Sequence, residues 1–234
     1  MGEIRRFSSS QVAIHAVAAF SILTLYITGL PITFPGQLGW IPALFGGFPV
    51  TMAIHRIAAV GFVVSGVYIV VYHVFYDVFV GKSVFTDVWP RFQDIKDAIN
   101  DALLLLKIPL DRSQVPRYGK YSWIAKAEYW SFFWEAVIFL ITGSILWFSW
   151  QSLVFMPPQY LLTARYIHAG FAVISVCGIA FHSYMVHFNP ENFHLDRCIF
   201  TGRIDEEEAK ERYPLWYEET KRGEEIVSES SGKV

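Results

Sequence analysis

"ARYIHAGFAVISVCGIAFHSYMVHF", residues Ala164–Phe188, is apolar and long enough to cross a bilayer, yet it carries His168, His182 and His187. His168 and His182 are fourteen residues apart. Fourteen steps at about 100° return a helix to within roughly 40° of its starting face, about 21 Å further along. That rise is about two thirds of the hydrocarbon thickness of a membrane. One face of one helix therefore presents an imidazole near each side of the bilayer.

Three more stretches of twenty or more residues have the same apolar character. With the first one they place spans at about 11–30, 52–75, 129–150 and 160–187. The whole chain of 234 residues is 53% hydrophobic and only 17% charged, against about a quarter in a soluble domain. The charges are confined to segments between long uncharged blocks. This predicts an all-α integral membrane four-helix bundle, multi-pass, whose immediate partner is membrane lipid. The net charge of −2 and the lack of a basic stripe give no nucleic acid a footprint. Residues 1–223 are expected to form the membrane domain, with a loop at 77–128, a tail at 189–223 and a disordered end at 224–234.

The start, "MGEIRRFSSSQVAIHAVAAF", resembles a secretory signal, but no small-residue cleavage site follows and a histidine lies inside the apolar run. The segment is expected to be retained as span one. Cys177 and Cys198 are the two cysteines. They offer no disulfide framework, no iron–sulfur ligand set and no C-x-x-C-H for covalent haem. Cys177, in the middle of an apolar run, is expected to be a buried small hydrophobe.

Lysine and arginine fix the expected orientation. Arg5 and Arg6 precede span one, eight basic residues from Lys82 to Lys126 lie between spans two and three, and seven more follow span four. The connections 31–51 and 151–159 have none. Both termini and the long loop are therefore expected in the cytoplasm. Within the loop, "FTDVWPRFQDIKDAINDALLLLKIP" reads as an N-capped amphipathic helix ending at Pro109 and suited to the inner membrane surface. The tail segment "RIDEEEAKERYPLWYEETKR" reads as a charged helix broken at Pro214. Both suit either solvent or docking to a partner, a second copy of the complex included.

Orientation converts sequence position into depth. His55 and His168 fall at the outer level, His15 and His182 at the inner level, on three different helices. Ionisable residues in spans are costly and usually functional. Two imidazoles per level match bis-histidine axial ligation of a flat macrocycle held between facing helices. Zinc would call for more ligands converging at one point. The metal to expect is haem iron on His15, His55, His168 and His182. Gly29, fourteen residues after His15, and Gly143 and Gly170 at the outer level either let a macrocycle sit against the helices or serve close helix packing. Arg56 and Arg165, the basic residues of the outer half, either pair with haem propionates or snorkel to headgroups.

At this point a resemblance becomes specific. "IHRIAAVGFVVSGVYIVVYH", "YGKYSWIAKAEYW", "RYIHAGFAVISVCGIAFHSYM" and "YPLWYEE" resemble the cytochrome b (gamma) subunit of membrane-bound formate dehydrogenases, in a wider family with the nickel–iron hydrogenase and thiosulfate reductase cytochromes b. The resemblance runs from about Arg5 to Glu219. It implies two b-type haems on His15, His55, His168 and His182, in agreement with the depth argument. It also implies quinone chemistry near the inner haem, in the region Gly119–Glu128 that includes Tyr121, Ser122, Lys126 and Glu128. Ser122 stands where the family pattern has asparagine, and Ala125 where it has glutamine. The quinone, menaquinone or ubiquinone, is left open by those departures.

His73 and His187 remain. Eighteen residues from His55, His73 also faces the bundle. The pair either holds a third haem, carries protons at a quinone site, or forms ordinary interfacial hydrogen bonds. Glu128 either relays a proton or pairs with Lys126. Taken together, these features predict transmembrane electron transfer between an iron–sulfur or catalytic oxidoreductase subunit and quinone, with substrate chemistry on the other subunit. A histidine-lined transporter or channel would show broken helices and a polar face along whole spans. A haem-free anchor would give no reason for level-matched histidines.

Overall fold

The computed structural model describes residues 2–75, 79, 87–189 and 196–231, with side chains described to Glu224. Lys82 in the long loop and the last three residues lie outside the described residues, as does His194. The chain divides into two compact units, one of Ser9–Tyr72 and Ser131–Asp196, the other of Met1–Ser8, His73–Trp130 and Arg197–Val234.

The first unit is the bundle. Its order begins with α1 (Ser9–Thr33), two short turns of helix α2 (Pro35–Leu38) and α3 (Ile41–Leu44), and α4 (Phe48–Phe75), whose last residues belong to the other unit. Pro35 ends the run of α1 and opens α2, where its missing N–H costs nothing. Gly46 and Gly47 turn the chain into α4 with φ of 88° and 101°, a region open to glycine. Four helices, Ser9–Thr33, Phe48–Phe75, Trp123–Trp147 and Pro158–Phe188, are long and apolar enough to span a membrane.

The bundle is packed the way lipid requires. Its fully buried side chains are small and polar (Thr28, Thr51, Ser65 and Ser175), whereas Phe20, Ile57 and Ile174 are exposed. With lipid as apolar as leucine, burial of large side chains gives helices no drive to associate; close approach through small residues does. A Cβ on Gly61 of α4 would sit 2.8 Å from the Ser21 hydroxyl of α1, so these two helices meet almost backbone to backbone. Cys177, expected inside, is exposed on this outer surface. A sulfhydryl is apolar enough to face hydrocarbon.

The second unit holds the polar parts. It contains β1 (Glu3–Arg5), α5 (Phe92–Leu105) and the start of α6 (Trp123–Trp147). After α6, α7 (Ser149–Phe155) and α8 (Pro158–Ser183) complete the bundle, and α8 runs into a π-helical turn at Tyr184–Phe188. The polar unit resumes with α9 (Cys198–Thr201), β2 (Arg203–Asp205), α10 (Glu206–Arg212) and α11 (Pro214–Ser231). β1 pairs antiparallel with β2, Ile4 opposite Ile204. A small core of Ile4, Cys198, Ile204 and Ala209 forms there, with Phe7, Tyr213, Trp216 and Tyr217 packed against it. Gly202, at φ 73°, caps α9 and offers its carbonyl to the N–H groups of Arg6 and Phe7. The Arg6 guanidinium lies 3.7 Å over the Tyr213 ring and donates to the Lys120 carbonyl.

The expected loop helix is α5, ending four residues before Pro109. Its C-terminus closes with Ile108 N–H on the Leu103 carbonyl and Lys107 N–H on that of Leu104, with Lys107 at φ 58°. The expected break at Pro214 separates α10 from α11, and the Asp205 carboxylate caps α10 by accepting from Glu207 N–H. α11 continues as helix to Ser231, past the point at 224 where disorder was expected. Span three starts at Trp123 rather than 129 because Ser122 caps it, its hydroxyl accepting from the Ala125 N–H at 3.3 Å.

Candidate functional site

Within the bundle, α4 and α8 bring His55 and His168 close enough to interact electrostatically. Each ring is held from a neighbouring helix. Thr28 of α1 lies 2.9 Å from His55 Nδ1, and Thr142 of α6 lies 2.8 Å from His168 Nδ1. The residue after each threonine is a glycine. A Cβ on Gly29 would come within 3.0 Å of His55 Cε1, and one on Gly143 within 3.4 Å of His168 Cε1. What these two glycines admit is thus the imidazole itself. Gly170, by contrast, faces open space. The edge of Phe139 also meets the His168 ring, centroids 5.2 Å apart at 72°.

The second level repeats the pairing with different supports. His15 of α1 interacts electrostatically with both His182 and His187. His182 meets Phe132 edge-on, with centroids 5.8 Å apart at 87°. His187 sits in the π-helical turn, a local widening common at functional sites, with its Nδ1 buried and lacking a hydrogen-bond partner among the described residues. His55 thus lies near His168, and His15 near both His182 and His187.

Between the levels lies a polar group that the sequence reading missed. Ser175, seven residues from both His168 and His182, is fully buried and 2.7 Å from the Tyr26 hydroxyl. Glu135 of α6 also reaches Ser175. A carboxylate deep in span three was the available signal, since among the four spans only Glu128 and Glu135 are acidic. For Thr28 and Thr142 the signal was the tripeptide Ile-Thr-Gly, present at 27–29 and again at 141–143.

Arg56 and Arg165 are both exposed. Arg56 lies over the Trp147 ring at 5.3 Å, a cation–π contact that satisfies the guanidinium without an anion.

In the polar unit, His73 is 5% exposed and its Nδ1 is 3.1 Å from the Tyr129 hydroxyl. Lys126 pairs with Asp94 of α5, Nζ to Oδ1 at 2.7 Å and to Oδ2 at 3.0 Å, and not with Glu128 as the sequence allowed. Asp94 also accepts from the Arg91 N–H at 2.6 Å, so one carboxylate caps α5 and joins it to α6. A groove of about 540 Å³ runs beside this ion pair, walled by Phe92, Ile95, Ala98 and Ala127. Tyr121 lies against Phe7, and the Lys120 ammonium sits within 6 Å of both rings. Burial holds the Lys120 amine below its usual pKa, partly opposed by Asp87. Tyr118 is pushed above the usual phenol range by burial and by its hydrogen bond to Asp101, which also accepts from Trp123 Nε1 at 2.8 Å.

Comparison with known proteins supplies a lineage for this arrangement. The chain is 23% identical over 212 residues to the cytochrome b556(Fdn) subunit of the nitrate-inducible formate dehydrogenase of Escherichia coli K12, covering 91% of this chain and 89% of the relative. It is 25% identical over 234 residues to the formate dehydrogenase cytochrome b556 subunit of Haemophilus influenzae, covering 99% and 90%. The Escherichia coli cytochrome b556(fdo) subunit is 22% identical over 226 residues, covering 97% of both chains. A family model described as prokaryotic cytochrome b561 matches residues 6–197, which include every histidine of both levels. That match covers most of the chain, and the chain belongs to the prokaryotic cytochrome b561 family.

Proposed function

We propose that this chain carries electrons through the membrane, between an oxidoreductase subunit at its outer face and quinone near its cytoplasmic face, on two b-type haems. The observation that carries this reading is the pairing of His55 with His168 and of His15 with His182 at two levels of one bundle. The donor set fits haem: two imidazoles per level, no thiolate, and no group of three or more His, Cys, Asp or Glu among the described residues that would favour another metal. Bound haem would supply one-electron carriage at each level. The chain's own residues do the rest. His55 and His168 present the outer ligands, His15 and His182 the inner ones, and the lipid-facing side chains keep water from the carriers. Arg56 and Arg165, one on each helix bearing an outer ligand, suit propionates or headgroups at that edge.

Quinone chemistry needs a proton carrier as well as an electron donor. In the polar unit, His73 hydrogen-bonded to Tyr129 provides a titratable pair at the end of α4, and an imidazole's ordinary pKa suits transfer near neutrality. Glu128, one residue before Tyr129, is a second proton-bearing group. The groove beside Lys126 is large enough for a ring-sized headgroup. The relatives are subunits of formate dehydrogenases, and this chain is read as the membrane subunit of a comparable multi-subunit oxidoreductase. Its electron partner would be an iron–sulfur or catalytic subunit.

The test is a haem count with single substitutions. Purified full-length protein, fully loaded, should give two b haems per chain by pyridine haemochrome. His55→Ala or His168→Ala should remove one haem and leave the other's spectrum unchanged. A count well below two in fully loaded protein overturns the reading.

A further inference from the structure

The two outer histidines are held in the same way by two different helices, and hydroxyl chemistry fixes what that hold does. A threonine hydroxyl has one proton to give. Thr28 gives it to its own helix, Oγ1 lying 2.6 Å from the Thr24 carbonyl and 3.3 Å from that of Leu25. Thr142 does likewise, 2.7 Å from the Ile138 carbonyl. A carbonyl accepts only, so the proton is committed, and the hydroxyl can face His55 or His168 solely as an acceptor. Each ring must therefore donate from Nδ1. A neutral imidazole protonated at Nδ1 has its free lone pair on Nε2.

We propose that Thr28 and Thr142 are positioning residues that fix His55 and His168 as Nδ1–H tautomers, so that both present Nε2 to one ligand site. The glycine after each threonine is the other half of the device. Cε1 lies between the two ring nitrogens, and a methyl group 3.0–3.4 Å from it would press on the ring's ligating side. Ile-Thr-Gly at 27–29 and at 141–143 is thus one socket used twice, from α1 onto α4 and from α6 onto α8. The threonine orients and polarises the imidazole; the glycine makes room for it. An acceptor on the second nitrogen also makes the first more basic, and loss of such a partner typically weakens metal binding about 10–100-fold.

This inference rests on the haem reading above, and the experiment separates the two. Full-length protein, loaded and in lipid, is titrated for the midpoint potential and the low-spin EPR signal of each haem, and the rate of haem loss is followed. Thr28→Val and Thr142→Val keep the side chain's shape and remove the hydroxyl acceptor, the Leu25 carbonyl remaining beside His55. Each should raise the outer haem's potential, shift its EPR signal and speed its loss about 10–100-fold, with the inner haem unmoved. Thr28→Ser and Thr142→Ser keep the hydroxyl and should behave as wild type. Valine variants with an unaltered outer haem overturn the proposal, as do serine variants altered as much as the valine ones. Where a valine variant does not fold, ¹⁵N-histidine labelling of the wild-type chain decides. Protons on Nδ1 of His55 and His168 are expected, and protons on Nε2 overturn the assignment. A chain that binds no haem but still shows both Nδ1 protons would sink the haem reading and leave the sockets standing.

Discussion

The proton-carrying role we propose for His73 rests on its depth and its partner. It lies at the end of α4, is nearly fully buried, and shares a hydrogen bond with Tyr129. A buried imidazole bonded to a phenol can pass a proton without leaving its place, which an exposed histidine in lipid headgroups cannot do in one geometry. His73→Leu and Tyr129→Phe should each slow quinone turnover at least tenfold while both haem spectra stay as in wild type. Stopped-flow reduction by a quinol analogue, compared with dithionite reduction, checks this. Equal rates in all three proteins would remove His73 from the proton route. Residue-level legibility was uneven for a physical reason. Histidines are rare and expensive in apolar helices, so their spacing alone suggested two levels. Thr28, Thr142 and Ser175 are cheap in such helices and look like packing residues until their partners are placed. The Asp94 partner of Lys126 was out of reach because it is 32 positions away, beyond any local pattern.

The elements obeyed local chemistry where the signal was a breaker or a cap. Pro214 breaks the tail helix as expected, Pro35 opens α2, and Ser122 sets the true start of α6. The end of α5 is the exception with a cost. Lys107 occupies the left-handed position of a helix-closing turn that glycine ordinarily fills, and a side chain there costs about 1 kcal/mol. Lys107→Gly should therefore stabilise the segment by about 0.5–1 kcal/mol, seen as slower hydrogen exchange at the last turn of α5. Faster exchange would show that the lysine head contributes more than its backbone loses. The apolar face of α5, Phe92, Ile95, Ile99 and Leu106, is exposed, which accords with a helix lying on a membrane surface.

At the scale of the whole molecule, the distribution of charge along the chain is the basis for the orientation we propose. Basic residues crowd the polar unit, whereas the connections 31–51 and 151–159 have none. Protease added to right-side-out vesicles should spare the segment Arg197–Ser231, and added to inverted vesicles should cut it. The opposite pattern would exchange the two haem levels and place quinone on the other side. The bundle was legible in sequence because hydropathy reports on the solvent directly. The small sheet of β1 with β2 was not: three-residue strands carry no period, and their pairing joins the two ends of the chain.

That pairing has a consequence for synthesis. Glu3–Arg5 leaves the ribosome well before its partner Arg203–Asp205, which comes 198 residues later. At about 5–20 residues per second, β1 waits roughly 10–40 s with both edges bare. A long apolar strand left bare for that time would invite other chains. This one is three residues long with a glutamate and an arginine flanking one isoleucine, so it can afford to be made first and closed last.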